Sequence, residues 1–110
     1  MQVTTSKLEN KTLFAIDGRI DATTAPQLEN TMLGKTQEAS EAVLVDFSNV
    51  EYISSAGLRT MLKLAKLCNS KKLALRLFGL KPNVLEVFKV SGFSGIIKIN
   101  ADLNEALSSL

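Results

Sequence analysis

Residues 43–47, Val-Leu-Val-Asp-Phe, form a run in which Asp46 is the only charged residue. A strand with one face in water alternates apolar and polar residues, whereas a strand buried on both faces is almost continuously apolar. Strands of the second kind belong mainly to parallel sheets that carry helices on both faces. The run therefore predicts a central strand of an α/β fold, and this limits the architectures open to the rest of the chain.

Segments typical of strands and of helices alternate along the chain. Strands are predicted at residues 3–8, 12–16, 43–47, 73–78 and 96–99. Helices are predicted to begin near Thr24, Ser54, Pro82 and Asp102. Only a short polar segment separates the first two strands, which suits a tight hairpin. We therefore predict a single α/β domain over residues 1–110, with a mixed, mostly parallel β-sheet, an antiparallel N-terminal edge strand and about four helices.

Several residues are predicted to interrupt, cap or connect these elements. Gly18 is expected to interrupt the second strand, which Ile20 continues toward Asp21. Thr24 is expected to cap the first helix with its side chain, with Pro26 in the first turn and Gln27 as the reciprocal member of a capping box. Gly57 is expected to ease a tight turn between the central strand and the next helix.

Composition excludes several classes of function. The chain has no histidine, which excludes His-based metal sites and Ser–His catalytic triads. Its formal net charge is +2 without a block of like charges, so no nucleic-acid-binding surface is indicated. The first residues lack the apolar core of a signal peptide, and no apolar run approaches the roughly 20 residues that span a bilayer. We therefore expect a cytoplasmic protein that does not insert into membranes, with Cys68 as a small core residue.

Two adjacent serines, Ser54 and Ser55, lie between the central strand and the following helix pattern. Because carboxyl ends of parallel strands meet at one edge of a sheet, the loops at 18–24 and 51–57 are expected to be neighbours. Serine is a preferred helix N-cap, so a purely structural role is one interpretation of the pair. The other is phosphorylation, since the amides at a helix N-terminus tolerate an added anion.

Catalytic interpretations have less support in the sequence. A nucleophilic serine needs an activating base, and neither a Gly-x-Ser-x-Gly motif nor a Gly-rich phosphate-binding loop is present. Asp46 lies near a strand end, as in an aspartyl-phosphate receiver, but the first strand has no adjacent pair of acids to hold the necessary metal ion. We therefore expect neither an enzyme nor a bound cofactor or metal ion.

Two longer motifs carry a family resemblance. Residues 43–50, Val-Leu-Val-Asp-Phe-Ser-Asn-Val, and residues 52–58, Tyr-Ile-Ser-Ser-Ala-Gly-Leu, resemble the signature of STAS domains. This family contains the bacterial anti-sigma-factor antagonists and related domains of sulphate transporters. Residues 17–21, Asp-Gly-Arg-Ile-Asp, resemble the family's Gly-x-Leu-Asp turn. The order of strands and helices also matches, so the resemblance covers essentially the whole chain.

The resemblance implies a partner-switching function. An unmodified antagonist binds an anti-sigma factor that is also a serine kinase, and so releases the sigma factor. The kinase, which binds the ATP itself, phosphorylates a serine at the start of the central helix, and a phosphoserine phosphatase reverses this. By resemblance the phosphoacceptor is Ser55, and Asp21 faces the kinase. The implied partner-binding residues are Asp21, Thr23, Ser54, Ser55, Gly57 and Arg59.

The chain also departs from the family pattern. Many antagonists carry Asp-Ser-Ser-Gly or Asp-Ser-Thr-Gly here, whereas this chain has Ser54 in place of the aspartate and Ala56 in place of the second hydroxyl. Ser54 is therefore the runner-up phosphoacceptor. The alternative function is that of a soluble STAS subunit that docks constitutively on a transporter ATPase or another signalling assembly.

Overall fold

Five β-strands form one sheet in which the spatial order of the strands follows their order in the chain. The computed structural model describes residues 1–110. Its strands are β1 (Gln2–Leu8), β2 (Lys11–Ile20), β3 (Ala42–Ile53), β4 (Ala74–Phe78) and β5 (Lys98–Asn100). The helices are α1 (Ala25–Thr36), α2 (Ser55–Ser70), α3 (Pro82–Val90) and α4 (Leu103–Ser108), with a 3₁₀ turn at Phe93–Gly95. β1 pairs antiparallel with β2 and every other pair is parallel, which confirms the predicted fold class.

The second strand continues to Ile20, as predicted, and Gly18 disturbs its register without ending it. Gly18 has a φ of +112°, which glycine adopts without the penalty that a side chain would bring. The register with β3 shifts on both sides of this point, between Ala15 and Asp17 and between Gly18 and Arg19. This irregularity resembles a β-bulge. Beyond it, β2 pairs with β3 as far as Ile20, which lies opposite Ile53.

The central strand is also longer than its apolar run. β3 extends to Ile53, although polar residues such as Ser48 and Asn49 follow the predicted end at Phe47. Val50 and Ile53 are buried and continue the inward face of the strand. The predicted loop at 51–57 is therefore mostly regular structure, because only Ser54 separates β3 from α2.

The main core lies between one face of the sheet and helices α1, α2 and α3. It includes Val43, Val45 and Phe47 from β3, and Phe47 packs edge-on against Phe88 of α3 at 5.9 Å between ring centroids. Cys68 of α2 is buried in this core, as predicted, and burial raises the pKa of its thiol to about 11. The core thus fixes the three helices that begin near the carboxyl edge of the sheet.

The fourth helix covers the opposite face of the sheet. Ala106 of α4 packs on Leu44 and Phe78, whose side chains point away from the main core. β3 is therefore buried on both faces, as its apolar run predicts. The last helix begins at the predicted cap, since Asp102 accepts a hydrogen bond from the Glu105 amide at 2.9 Å. None of the helices combines the length and the hydropathy needed to cross a membrane.

Candidate functional site

The carboxyl ends of β2 and β3 bring the two predicted loops together. The Ser54 amide donates a hydrogen bond of 2.8 Å to the carbonyl oxygen of Ile20, the last residue of β2. One register position earlier, the guanidinium of Arg19 lies 4.3 Å from the centre of the Tyr52 ring. The expected proximity of the turn after β2 and the serines after β3 is therefore confirmed.

Asp21 organises the turn between β2 and α1. Its Oδ1 accepts hydrogen bonds from the amides of Thr23 and Thr24 at 3.0 and 3.1 Å. The bond from the Thr24 amide is the main cause that lowers the pKa of the Asp21 carboxyl below its ordinary value. The ionised carboxylate therefore stabilises the folded state above its ordinary pKa, and this contribution is lost as the pH falls through the lowered pKa.

The predicted capping box at the start of α1 is wrong. The Thr24 hydroxyl accepts from the Asp21 amide at 2.9 Å and donates to the Arg19 carbonyl oxygen at 2.8 Å, so it makes no cap to the helix. Pro26 does occupy the first turn, as predicted. The threonine side chain is used instead to close the turn around Asp21, which couples this turn to the end of β2.

The structure separates the roles of the two serines. Ser54 is the N-cap of α2, with extended backbone angles, and its Oγ accepts from the Gly57 amide at 3.4 Å. Ser55 is the first residue of the helix and its side chain is exposed. The Ser55 hydroxyl has no hydrogen-bond partner within the protein. The structural interpretation thus fits Ser54, while the hydroxyl of Ser55 is exposed and unbonded.

Gly57 serves close packing rather than a tight turn. It lies inside α2, is buried, and has no positive φ. A Cβ placed there would lie 2.6 Å from Cγ1 of Ile53 and 2.7 Å from Cγ2 of Ile20. The predicted turn role is therefore wrong, and burial removes Gly57 from the surface that a partner can reach. Its missing side chain lets the first turn of α2 sit directly on the ends of β2 and β3.

Replacing Gly57 by alanine is expected to destabilise the fold, although alanine is the better helix former. Helix propensity alone would add about 1 kcal/mol, but overpacking against two buried isoleucines costs about 1–3 kcal/mol. Gly34, in α1, has no atom within 4 Å of a built Cβ and provides the matched control. Gly34→Ala should raise the free energy of unfolding, measured by urea denaturation, while Gly57→Ala lowers it. Equal stabilisation by both substitutions would contradict the packing role.

The remaining predicted site residues surround the start of α2. Thr23 is exposed in the Asp21 turn, and Arg59 is exposed one helical turn after Ser55. Sequence reasoning missed the Arg19–Tyr52 stack and an ion pair of 3.1 Å between Glu29 of α1 and Lys63 of α2. The Arg–Tyr stack depends on the shifted register of β2 and β3, and the ion pair depends on how two helices meet, so no local pattern signals either contact.

The chemistry available at this edge is that of an exposed nucleophile without activation. No histidine exists in the chain, and no group of three His, Cys, Asp or Glu side chains is placed to hold a metal ion. An unassisted serine hydroxyl is a weak nucleophile.

A protein-family comparison agrees with this arrangement. The model of the STAS domain matches residues 2–106. The chain belongs to the STAS domain family. BtrV of Bordetella bronchiseptica, named as an anti-sigma factor antagonist, is 34% identical over 109 residues, covering 99% of this chain and 93% of that protein.

Two solved structures show the same fold at low sequence identity. The anti-sigma-factor antagonist (STAS) domain protein of Planctomyces limnophilus is 20% identical with a TM-score of 0.87, covering 97% of this chain and 95% of that one. SpoIIAA of Bacillus, a cell fate determinant solved in its phosphorylated form, is 16% identical with a TM-score of 0.74, covering 98% of each chain. The STAS architecture therefore extends over essentially the whole of this protein.

Proposed function

We propose that this STAS protein is an anti-sigma factor antagonist that binds an anti-sigma factor and thereby releases a sigma factor. The observation that carries the proposal is the free, exposed Ser55 hydroxyl on the first turn of α2. The name of BtrV, which is similar along almost its full length, supports this role. The role is regulatory, because the edge offers a docking surface and a modifiable hydroxyl rather than an activated catalytic group.

The partner in this proposal is an anti-sigma factor with serine kinase activity. The kinase brings ATP and transfers its γ-phosphoryl group to the Ser55 oxygen, which releases ADP and the hydroxyl proton. A phosphoserine phosphatase hydrolyses the ester and restores the binding form. The antagonist itself needs no cofactor, since every reactant other than the hydroxyl comes with the partner.

The position of Ser55 suits a switch that leaves the domain folded. A phosphate adds about −1.5 to −2 charge near the amides of a helix N-terminus, where an anion typically gains about 0.3–1 kcal/mol. The same charge held unpaired under a docked partner costs several kcal/mol. Phosphorylation is therefore expected to expel the partner without unfolding the antagonist.

Ser54 replaces the aspartate that many antagonists carry, and the structure suggests why this is tolerated. Aspartate and serine are both preferred N-caps, and Ser54 occupies the N-cap of α2. Its oxygen is already directed to the Gly57 amide, at 3.4 Å, and its side chain is half-buried. These contacts favour Ser55 over Ser54 as the phosphoacceptor.

Incubation with the cognate kinase and ATP is expected to phosphorylate Ser55, because its hydroxyl is exposed and unbonded. Mass spectrometry of the intact protein and of its peptides measures the extent and position of labelling. Ser55→Ala should abolish labelling, whereas Ser54→Ala should keep it and cost about 0.5–2 kcal/mol of stability through loss of the cap. Undiminished labelling of Ser55→Ala would refute the assignment, and unmodified protein in its native cell would favour constitutive docking instead.

A further inference from the structure

A shallow groove runs between the N-terminal parts of α1 and α2, and its lining includes Ala56, the residue after the proposed phosphoacceptor Ser55. Its volume is about 360 Å³, and small side chains of Ala22, Ala25 and Ala56 line it. The ion pair between Glu29 and Lys63 spans the two helices at this groove, with 3.1 Å between Nζ and Oε1. The groove is therefore a preformed depression that can receive a side chain of a docked protein.

Arg59 lies along this groove and has no anionic partner. Lys63, one turn further along α2, is paired with Glu29, but the Arg59 guanidinium makes no ion pair or hydrogen bond in the structure. Asp21, the carboxylate of the neighbouring turn, is already bonded to the amides of Thr23 and Thr24. The groove therefore presents one uncompensated positive charge, which is complementary to a carboxylate on a docked protein.

Arg59 also stands where a phosphate on Ser55 would meet it. Residues four apart on a helix are neighbours on its surface, with Cβ atoms about 5–6 Å apart. An anion placed four residues before a cation is the favourable orientation of such a pair. Guanidinium binds phosphate through two parallel hydrogen bonds, so the planar side chain of Arg59 suits this contact better than an ammonium would.

We infer that two anions compete for Arg59: a carboxylate of the kinase docked in the groove, and the phosphate on Ser55. This inference rests on the proposed function. In the unmodified protein Arg59 binds the partner's carboxylate. After phosphorylation the phosphate takes the guanidinium, so the partner loses an attractive contact and also faces the added charge. Release then has two causes, and only one of them is repulsion.

The contact within the phosphorylated protein can be tested without any partner. Phosphoserine is incorporated at position 55 during translation, and ³¹P NMR follows the second ionisation of the phosphate from pH 4 to 8. A guanidinium at contact distance stabilises the dianion, so Arg59→Gln should raise the phosphate pKa by about 0.5–1. Lys66→Gln is the control, since Lys66 is an exposed α2 cation farther from Ser55, and it should change the value much less. Equal values for the parent and Arg59→Gln would overturn the inference.

A double-mutant cycle tests the competition itself, with the kinase that labels Ser55. Arg59→Gln should weaken binding of the unmodified chain about tenfold, as loss of a charged contact does. The additional loss caused by Ser55→Asp should be about tenfold smaller in the Arg59→Gln background than in the parent. If Ser55→Asp reduced the affinity by the same factor in both backgrounds, repulsion alone would release the partner and the inference would be wrong. Absence of any labelling at Ser55 would instead refute the proposed function, while the NMR result would still decide the Arg59 contact.

Discussion

Ser55→Asp is expected to weaken binding to the partner kinase by about 30- to 1,000-fold, which is a loss of about 2–4 kcal/mol, because the docked partner would cover the added charge and would also lose its contact with Arg59. Isothermal titration calorimetry of the purified proteins measures the change in Kd. The melting temperature should stay nearly constant, since Ser55 is exposed and an acid on the first turn of a helix is favourable.

Two further substitutions separate this effect from general surface changes. Ser55→Ala removes the hydroxyl without adding charge and should bind like the parent protein. Ser94→Asp adds the same charge on the exposed 3₁₀ turn, where Ser94 lines a surface depression that shares no residue with the groove at Arg59, and should also leave binding unchanged. Parent-like binding by Ser55→Asp would argue against a switch and in favour of constitutive docking.

Phe47→Ala is expected to cost about 3–5 kcal/mol of unfolding free energy, because the site cannot collapse around the lost ring. Phe47 is fully buried on β3 and packs edge-on against Phe88, with the ring planes at 82°. A domain of this size has only about 5–15 kcal/mol in total, so a large share of its stability would be lost. Urea denaturation monitored by circular dichroism measures the loss.

Phe93 supplies a comparison for this core prediction. It lies on the 3₁₀ turn, is only partly buried, and packs at the margin of the main core. Phe93→Ala should therefore cost clearly less than Phe47→Ala. Phe47→Leu, which retains much of the volume, should also lose less. A cost for Phe93→Ala equal to that of Phe47→Ala would contradict the placement of the core.

The order of the elements and the class of the sheet could be predicted from local patterns. The apolar run at 43–47 predicts burial on both faces, and Leu44 does pack on α4 while Val43 and Val45 pack in the main core. Strand ends were less predictable. β3 continues through polar residues because pairing with β2 satisfies its backbone, and composition alone does not reveal that pairing.

The candidate site also combines features that the sequence predicted with features that it did not. The serine pair, the turn at Asp21 and their shared edge follow from residue types and from the topology of a parallel sheet. The roles of Thr24 and Gly57 were predicted wrongly, because each depends on contacts between elements. Thr24 closes the Asp21 turn instead of capping α1, and Gly57 makes room for Ile20 and Ile53.

The sequence by itself determined the α/β class, the order of strands and helices, and the two hydroxyls at the start of α2. These features depend on spacing along the chain, which hydrophobic periodicity records directly. The tertiary structure decided that the Ser54 hydroxyl is hydrogen-bonded and the Ser55 hydroxyl is free. It also decided that Arg59 lies unpaired along the groove between α1 and α2. Such features depend on distances between segments far apart in the chain, and those distances exist only after the core has packed.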